Sequence, residues 1–192
     1  SFVFAPLVED VYPPDWRTAI EVEGVTAPLC GAFRPGHFRG VATVVYRLFS
    51  LVRPSVAYFG QKDLQQCLVI ERMVKDLALP LRIEIVPTVR EVDGLALSSR
   101  NRYLSAQERS QAPVIFRALE AAKRARENGE VDAEAILAVV RSVFAAVPAF
   151  RLQYAEIRSL PNLEPIDTLS GRAALAIAGY FGQTRLIDNA LL

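Results

Sequence analysis

Three clusters of polar and charged residues could do chemistry in this sequence, and all three suit an anionic ligand. The first is Phe33–Gly40, which places Arg34, His37 and Arg39 in a Pro/Gly-containing turn just ahead of a predicted helix. Guanidinium groups close to a helix N-terminus are well suited to phosphates and carboxylates. A basic turn whose side chains are simply solvated explains the same residues equally well, so the cluster alone leaves both interpretations open.

The second cluster, Tyr58–Gln66, joins the end of a predicted strand to the start of a predicted helix. Ligands of open α/β sheets bind at this carboxyl edge of the strands. Gly60 would let a ligand approach the backbone closely, Lys62 would bring a positive charge to a phosphate, and Gln66 could donate and accept hydrogen bonds. A capped helix with an exposed lysine is the structural alternative, but the position at the strand end favours binding.

The third cluster is Asp93–Ser105, in which Ser98 and Ser99 are followed directly by Arg100. Hydroxyl and backbone donors beside a fork-shaped cation form a set that suits a triphosphate. An ordinary loop ahead of a helix is the alternative, because this tripeptide is common. Together with Lys62 at a neighbouring strand end, the third cluster predicts an ATP site.

Alternating strand and helix signals in the first half predict a parallel sheet with crossover helices. The proline-containing segment 7–36 predicts mostly loop, with at most a short strand at Thr18–Val22. Asp63 and Gln66 form a plausible capping pair for the second predicted helix. The predicted strands are Phe2–Phe4, Val56–Phe59 and Arg82–Val86, and the predicted helices span about 37–52 and 63–79.

The second half has a different pattern, which predicts an α+β domain. Ser105 and Glu108 form a capping box for a helix to about residue 127, and Pro113 should kink that helix or delay its start. Gly182 lies where a hairpin turn would place it. A second helix is predicted at about 132–147, and strands are predicted at 151–158, 173–180 and 184–189. The boundary divides the chain into domains 1–88 and 89–192.

Composition excludes several classes of protein. The chain has 192 residues, with 22 Lys+Arg against 21 Asp+Glu and a net charge of +1, which argues against a protein that coats nucleic acid or an anionic membrane. Its apolar runs are far shorter than the ~20 residues of a membrane-spanning helix. Two cysteines, Cys30 and Cys67, make no disulfide framework, so a cytoplasmic location is expected.

Four runs resemble motifs of the pantothenate synthetase (pantoate–β-alanine ligase) family, in that family's order: Arg34–Gly40, Phe59–Gln66, Asp93–Asn101 and Arg185–Asn189. The resemblance implies a Rossmann-like, parallel-sheet nucleotidyltransferase domain in residues 1–88 and a small α+β lid domain in 89–192. It also implies a homodimeric ligase that joins pantoate and β-alanine using ATP and Mg²⁺. The reaction would pass through pantoyl adenylate and release AMP and pyrophosphate.

The resemblance also implies roles for individual residues. Lys62, Arg100 and Arg34 would be the catalytic residues, and Gln66 would bind pantoate. No residue is assigned to a metal. The residues implied at ATP are Gly60, Lys62, Asp63, Val89, Ser98, Ser99 and Arg100.

One departure from the family concerns histidine. The family's His-x-Gly-His motif and its Asn-Pro-x-Gln-Phe stretch do not occur in this sequence, and the only histidine, His37, belongs to another motif. We therefore expect the chain to be a C-terminal portion of the enzyme and to be inactive alone. Three alternatives remain: a related enzyme that adenylates another carboxylic acid, a non-catalytic nucleotide-binding fragment, and an aminoacyl-tRNA synthetase fragment, which the neutral charge disfavours.

Overall fold

The computed structural model describes residues 2–192, which divide into two compact units. The first contains the chain up to Phe59 together with Gln65–Ile85. The second contains Gly60–Leu64 and Val86–Leu192, so a short internal segment belongs with the C-terminal half. The assignment of 1–88 and 89–192 as functional domains stays a prediction.

Helices and one strand pair form the first unit. The helices are α1 (Val8–Val11), α2 (Cys30–Phe33), α3 (His37–Val52) and α4 (Leu64–Asp76), and the strands are β1 (Val56–Gly60) and β2 (Arg82–Val86). The two strands form a parallel two-stranded sheet. Helix α4 buries Cys67, Ile70 and Met73 completely, which confirms that Cys67 is a core residue.

Two predictions for the first half are wrong. Residues Phe2–Phe4 form no strand within the part that the structure describes, and Phe2 and Val3 are fully exposed. An apolar run becomes a strand only where a second strand pairs with its backbone. The predicted loop at Thr18–Val22 is confirmed, and the Ile20 amide in it donates to Thr43 Oγ1 (2.9 Å). The Asp63–Gln66 cap is absent, because α4 continues from a 3₁₀ turn, Gln61–Asp63.

The second unit begins with a loop and then a set of helices. A 3₁₀ helix (Ser99–Tyr103) is followed by α5 (Ala106–Gln111), α6 (Val114–Glu127) and α7 (Ala133–Ala145). The predicted capping box is confirmed, since Ser105 Oγ accepts from the Glu108 amide (3.3 Å). Pro113 splits the single predicted helix into α5 and α6, because proline has no N–H to continue the helical pattern.

An antiparallel sheet completes the second unit, with strand order β3 (Phe150–Ser159), β4 (Ala173–Phe181), β5 (Thr184–Leu191). Gly182, at φ 51°, makes the predicted hairpin turn between β4 and β5. The core lies between one face of this sheet and helices α6 and α7, and it includes the fully buried Ile136, Val140, Leu175 and Phe181. A parallel strand pair together with this separate antiparallel sheet confirms the predicted α/β fold class.

Candidate active site

The 3₁₀ turn Gln61–Asp63, called here the Lys62 turn, lies between β1 and α4 in the chain and belongs to the second unit. Strand β5 holds its backbone. Asn189 Nδ2 donates to the carbonyl oxygens of Gln61 (2.8 Å) and Lys62 (3.0 Å), and Gln61 Nε2 donates back to Asn189 Oδ1 (3.3 Å). The base of the Lys62 side chain is therefore fixed by a buried amide.

The Lys62 ammonium is held in an environment that disfavours its charge. Partial burial is the largest cause and lowers the pKa of Lys62 below its usual value. The negative charge of Asp63 opposes this effect, the positive charge of Arg100 adds to it, and Asp188 opposes it. Because a nearby cation makes Lys62 easier to deprotonate, an anion bound near both groups would stabilise the charged form.

Residues 89–103, called here the Ser98 loop, begin with a tight turn in which the chain folds back on itself. The Leu97 amide donates to the Val89 carbonyl (2.9 Å), the Glu91 amide donates to the Leu95 carbonyl (2.8 Å), and Gly94 lies at the turn. Arg90 anchors the start of the loop, since its guanidinium binds both carboxylate oxygens of Asp188 (2.6 and 3.2 Å) and donates to the Gly94 carbonyl (3.0 Å). This bidentate geometry is the strong form of the arginine–carboxylate pair.

Further contacts brace the rest of the loop. Arg109 donates to Asp93 (2.5 Å) and Glu91 (2.8 Å), and Asn101 Nδ2 donates to Glu91 (2.8 Å) and to the Ala96 carbonyl (3.1 Å). The Arg109 hydrogen bond is the largest cause that lowers the pKa values of Glu91 and Asp93, so both remain anionic partners of Arg109. The loop is thus shaped by its own ion pairs and hydrogen bonds.

The tip of this braced loop presents the predicted triphosphate residues. Ser98 Oγ accepts from the Arg100 amide (3.2 Å) and caps the 3₁₀ helix that follows. Ser99 and Arg100 are exposed. The tip therefore exposes the Ser99 hydroxyl and the Arg100 guanidinium to solvent. The positive charge of Arg100 also contributes to the lowered pKa of Lys62.

Three other residues predicted at ATP also lie in the second unit. Gly60 has an ordinary φ of −76°, and a Cβ built on it would meet nothing within 4 Å, so neither the backbone nor its neighbours require glycine. Asp63 ends the Lys62 turn and is exposed, as is Val89 at the start of the Ser98 loop. Close approach of a ligand to Gly60 therefore stays the prediction for this position.

Arg34 and Gln66 lie in the first unit. Arg34 ends α2, and its Nη1 lies 3.0 Å from His37 Nε2 and 3.9 Å from Cys30 Sγ. It also lines a cavity of about 90 Å³ that includes Glu21, Thr26 and Arg39. Gln66 is half-buried in α4. Their catalytic and pantoate-binding roles stay predictions.

Sequence reasoning missed the residues that support these groups. Asp188 and Asn189 are each only 4% exposed and hold Arg90 and the Lys62 turn respectively. Gln65, beside the predicted Gln66, is buried and binds the backbone of residues 25–30 through the Val25 carbonyl (2.9 Å), the Pro28 carbonyl (2.7 Å) and the Cys30 amide (3.0 Å). A polar residue at a buried position of the helical pattern is a signal that could have found Gln65.

The described residues hold no group of three or more His, Cys, Asp or Glu side chains that could bind a metal ion. Asp188 is already committed to Arg90. In the same part of the chain, the helices are either too short or too polar to cross a bilayer.

Comparison with known proteins identifies the family. The family model for pantoate–β-alanine ligase matches residues 1–191. The chain belongs to the pantoate–β-alanine ligase family. It is 52% identical to the pantothenate synthetase of Pelotomaculum thermopropionicum over 190 residues, which cover 99% of this chain and 67% of that protein.

Solved structures of family members agree with this fold. The pantothenate synthetase of Thermus thermophilus superimposes with a TM-score of 0.94 at 50% identity, covering 97% of this chain and 68% of the Thermus chain. The pantoate–β-alanine ligase of Francisella tularensis, crystallised with β-γ ATP and β-alanine, superimposes with a TM-score of 0.70 at 33% identity, covering 95% of this chain and 61% of its own. The predicted family and its ligase class are confirmed.

Proposed function

We propose that this protein takes part in the ATP-dependent condensation of pantoate with β-alanine to give pantothenate. Family membership over residues 1–191 supports this reaction. One observation in this chain carries the proposal. All the residues predicted at ATP (Gly60, Lys62, Asp63, Val89, Ser98, Ser99 and Arg100) fall within the second compact unit, although they come from two separate segments of the chain.

The first step would be adenylation of pantoate. A carboxylate oxygen of pantoate attacks the α-phosphorus of ATP, and the bond to the bridging oxygen breaks to release pyrophosphate. Charge accumulates on the leaving pyrophosphate, so positioned cations and hydrogen-bond donors lower the barrier. Lys62 and Arg100 are the cations that we assign to this task, and Ser98 and Ser99 are the neutral donors.

The second step would be attack by the amine of β-alanine on the acyl carbon of pantoyl adenylate. The bond to the AMP oxygen breaks, AMP leaves, and the nitrogen loses a proton as the amide forms. Exclusion of water matters here, because an acyl adenylate hydrolyses readily. Residues 89–192 would act as a lid that keeps water from the intermediate.

Magnesium enters this proposal as part of the substrate, MgATP. Mg²⁺ usually keeps several waters and binds through substrate phosphates and one or two carboxylates. Because the described residues contain no metal-binding cluster, no resident site in them is assigned and no catalytic step is derived through the ion.

The remaining assignments rest on the family resemblance. Gln66 would hydrogen-bond pantoate, and Arg34 would serve as an active-site cation. We also propose that the protein works as a homodimer in the cytoplasm.

A stable mimic of the intermediate tests the proposed function without requiring turnover. Pantoyl sulfamoyl-adenosine, in which a sulfamate replaces the reactive phosphate, should bind the chain more tightly than the same scaffold carrying an unrelated acyl group. Isothermal titration with both compounds and with MgATP gives the comparison. Equal affinity for the two acyl groups would favour another carboxylate-adenylating enzyme, and binding of neither compound nor MgATP would refute the ATP site.

Turnover by this polypeptide is a separate matter. The histidine pair that the resemblance implies is not among its residues, which include only His37. We therefore expect no pantothenate from pantoate, β-alanine and MgATP when the polypeptide is assayed alone, with the Thermus thermophilus enzyme as the positive control. Measurable synthesis would mean that the catalytic groups have been placed wrongly.

A further inference from the structure

Near its C-terminal end, strand β5 carries two adjacent polar residues that are both almost completely buried, Asp188 and Asn189. Successive side chains of a strand point to opposite faces of the sheet. Asp188 binds Arg90, at the base of the Ser98 loop, while Asn189 binds the Lys62 turn. A buried polar group in a strand is costly unless it is hydrogen-bonded, so the partners of these two residues show what each one holds.

Each hydrogen-bonding group of the Asn189 side-chain amide has a partner in the Lys62 turn. Its nitrogen offers two donors, and these meet two successive carbonyl oxygens, those of Gln61 and Lys62, at 2.8 and 3.0 Å. Its oxygen accepts from Gln61 Nε2 at 3.3 Å. No other side chain of this size carries two donors and an acceptor in one plane, since aspartate lacks the donors and leucine lacks both.

Asn189 is itself held rigidly. Its backbone amide donates to Asp188 Oδ1 (2.8 Å), and that carboxylate is clamped by the bidentate contact with Arg90. Arg90 in turn lies over the ring of Phe116, with its Cζ 4.6 Å from the ring centre. The amide that grips the Lys62 turn is therefore braced by the same ion pair that anchors the Ser98 loop.

We propose that Asn189 is a positioning residue that fixes the backbone of the Lys62 turn and thereby sets where the Lys62 ammonium lies relative to Arg100. The positioning of Lys62 does not depend on the proposed function, whereas its expected effect on the binding of ATP phosphates rests on that function. The lysine stem is long and flexible, so a fixed starting point is needed to hold its charge in a partly buried place. A misplacement of about 1 Å in such a group can cost roughly 100-fold in rate.

The test follows Lys62 directly. The chain has only three lysines, Lys62, Lys75 and Lys123, so isotopic methylation of the lysine amines gives few NMR signals, and Lys62→Arg assigns the one of interest. Asn189→Leu keeps a side chain of similar shape but removes its donors and its acceptor. Asn189→Ser is the milder variant, because serine keeps one hydroxyl group. Gln61→Met leaves both Asn189 donor bonds in place. Ile187→Ala, on the same face of β5, removes apolar packing without removing a hydrogen bond.

Both Asn189 variants should raise the titration midpoint of Lys62 toward that of an ordinary lysine, because the released turn lets water reach the ammonium and moves it away from Arg100. Both should also weaken MgATP binding by about tenfold in titration calorimetry. Ile187→Ala should lower the melting temperature yet leave the Lys62 midpoint and the MgATP affinity within about twofold of the parent chain. Gln61→Met should lie close to the parent.

The outcomes separate this inference from the proposed function. Suppose that the Lys62 midpoint moves in the Asn189 variants while the parent chain fails to bind MgATP. This result supports the positioning role and refutes the ATP site. An unchanged midpoint in folded Asn189→Leu and Asn189→Ser overturns the positioning role, whatever the chain binds. Loss of the fold in both variants also overturns it, because Asn189 would then be a residue required by the fold as a whole.

Discussion

At the scale of single residues, Lys62 lies in an environment that disfavours its positive charge. Its pKa is lowered by burial and by Arg100, against the opposing effects of Asp63 and Asp188. If its charge serves to bind phosphate, Lys62→Gln should weaken MgATP binding by tenfold or more, about 1.4 kcal/mol. Titration calorimetry checks this, and Lys75→Gln, near the end of α4, is the matched control. Equal affinities for the two variants would remove Lys62 from the ATP site.

The same residue predicts a pH dependence of stability. Between the lowered pKa of folded Lys62 and the usual lysine value of 10.5, the unfolded chain binds more protons than the folded chain. The free energy of unfolding rises with pH wherever the unfolded state binds more protons. Lys62 should therefore make the protein more stable as pH rises through this window, and Lys62→Met should flatten the rise. Urea midpoints measured over a pH series check this, and parallel curves would contradict it.

Arg90 and Asp188 form the most buried ion pair among those described, with 23% and 3% of their side chains exposed. Breaking a buried pair by removing one partner leaves an uncompensated charge and typically costs about 3–5 kcal/mol. Arg90→Gln should therefore lower the free energy of unfolding by roughly that amount. The control is Arg72→Gln in the half-exposed pair Arg72–Asp76, where a change below about 1 kcal/mol is expected. Similar losses for both variants in chemical denaturation would show that burial does not strengthen the first pair.

At the scale of elements, the turn of the Ser98 loop depends on Gly94. Its φ is +89°, and a Cβ at this position would lie 2.0 Å from Cδ1 of Phe116, which itself packs under Arg90. Gly94→Ala should destabilise the protein by about 1–3 kcal/mol through overpacking and backbone strain. Gly40→Ala is the control, since Gly40 lies in α3 with open space around a Cβ and should gain about 0.5–1 kcal/mol. Thermal unfolding of both variants checks the opposite signs.

Local sequence patterns predicted most helices and strands, while partners distant in the chain decided what those patterns missed. The Ser105–Glu108 capping box and the break at Pro113 depend on neighbouring residues, and both are confirmed. The Phe2–Phe4 strand is wrong, because pairing depends on a second strand and not on the apolar run itself.

The candidate site likewise contains residues that local sequence patterns reveal and residues that only contacts between distant parts of the chain reveal. Lys62 and the Ser98 loop stand out through residue type and position in the chain. The grip of Asn189 on Lys62 joins residues 127 positions apart, which no local pattern reveals. Gln65 likewise binds a segment 35 to 40 positions away. Sequence thus indicates which groups could meet a ligand, and the fold shows which buried residues hold those groups in place.

At the scale of the whole molecule, the two units differ in how complete their cores are. The main hydrophobic core, from Leu95 to Ala190, lies entirely within the second unit, between α6, α7 and the antiparallel sheet. In the first unit, each strand of the two-stranded sheet has one neighbour, and Phe2, Val3 and Tyr58 are among its exposed apolar residues. Two-stranded sheets are marginal by themselves, and exposed strand edges invite association.

We therefore predict that a polypeptide of residues 86–192 folds by itself and that one of residues 1–85 does not. The former keeps every member of the main core and loses only the Gly60–Leu64 segment, whose backbone partner Asn189 would then bind water. It should give dispersed NMR amide signals and one cooperative thermal transition. The polypeptide 1–85, the matched control, should aggregate or unfold without a cooperative transition. A poorly dispersed spectrum for 86–192 would mean that its core depends on the rest of the chain, and a sharp transition for 1–85 would mean that strand edges do not limit the first unit.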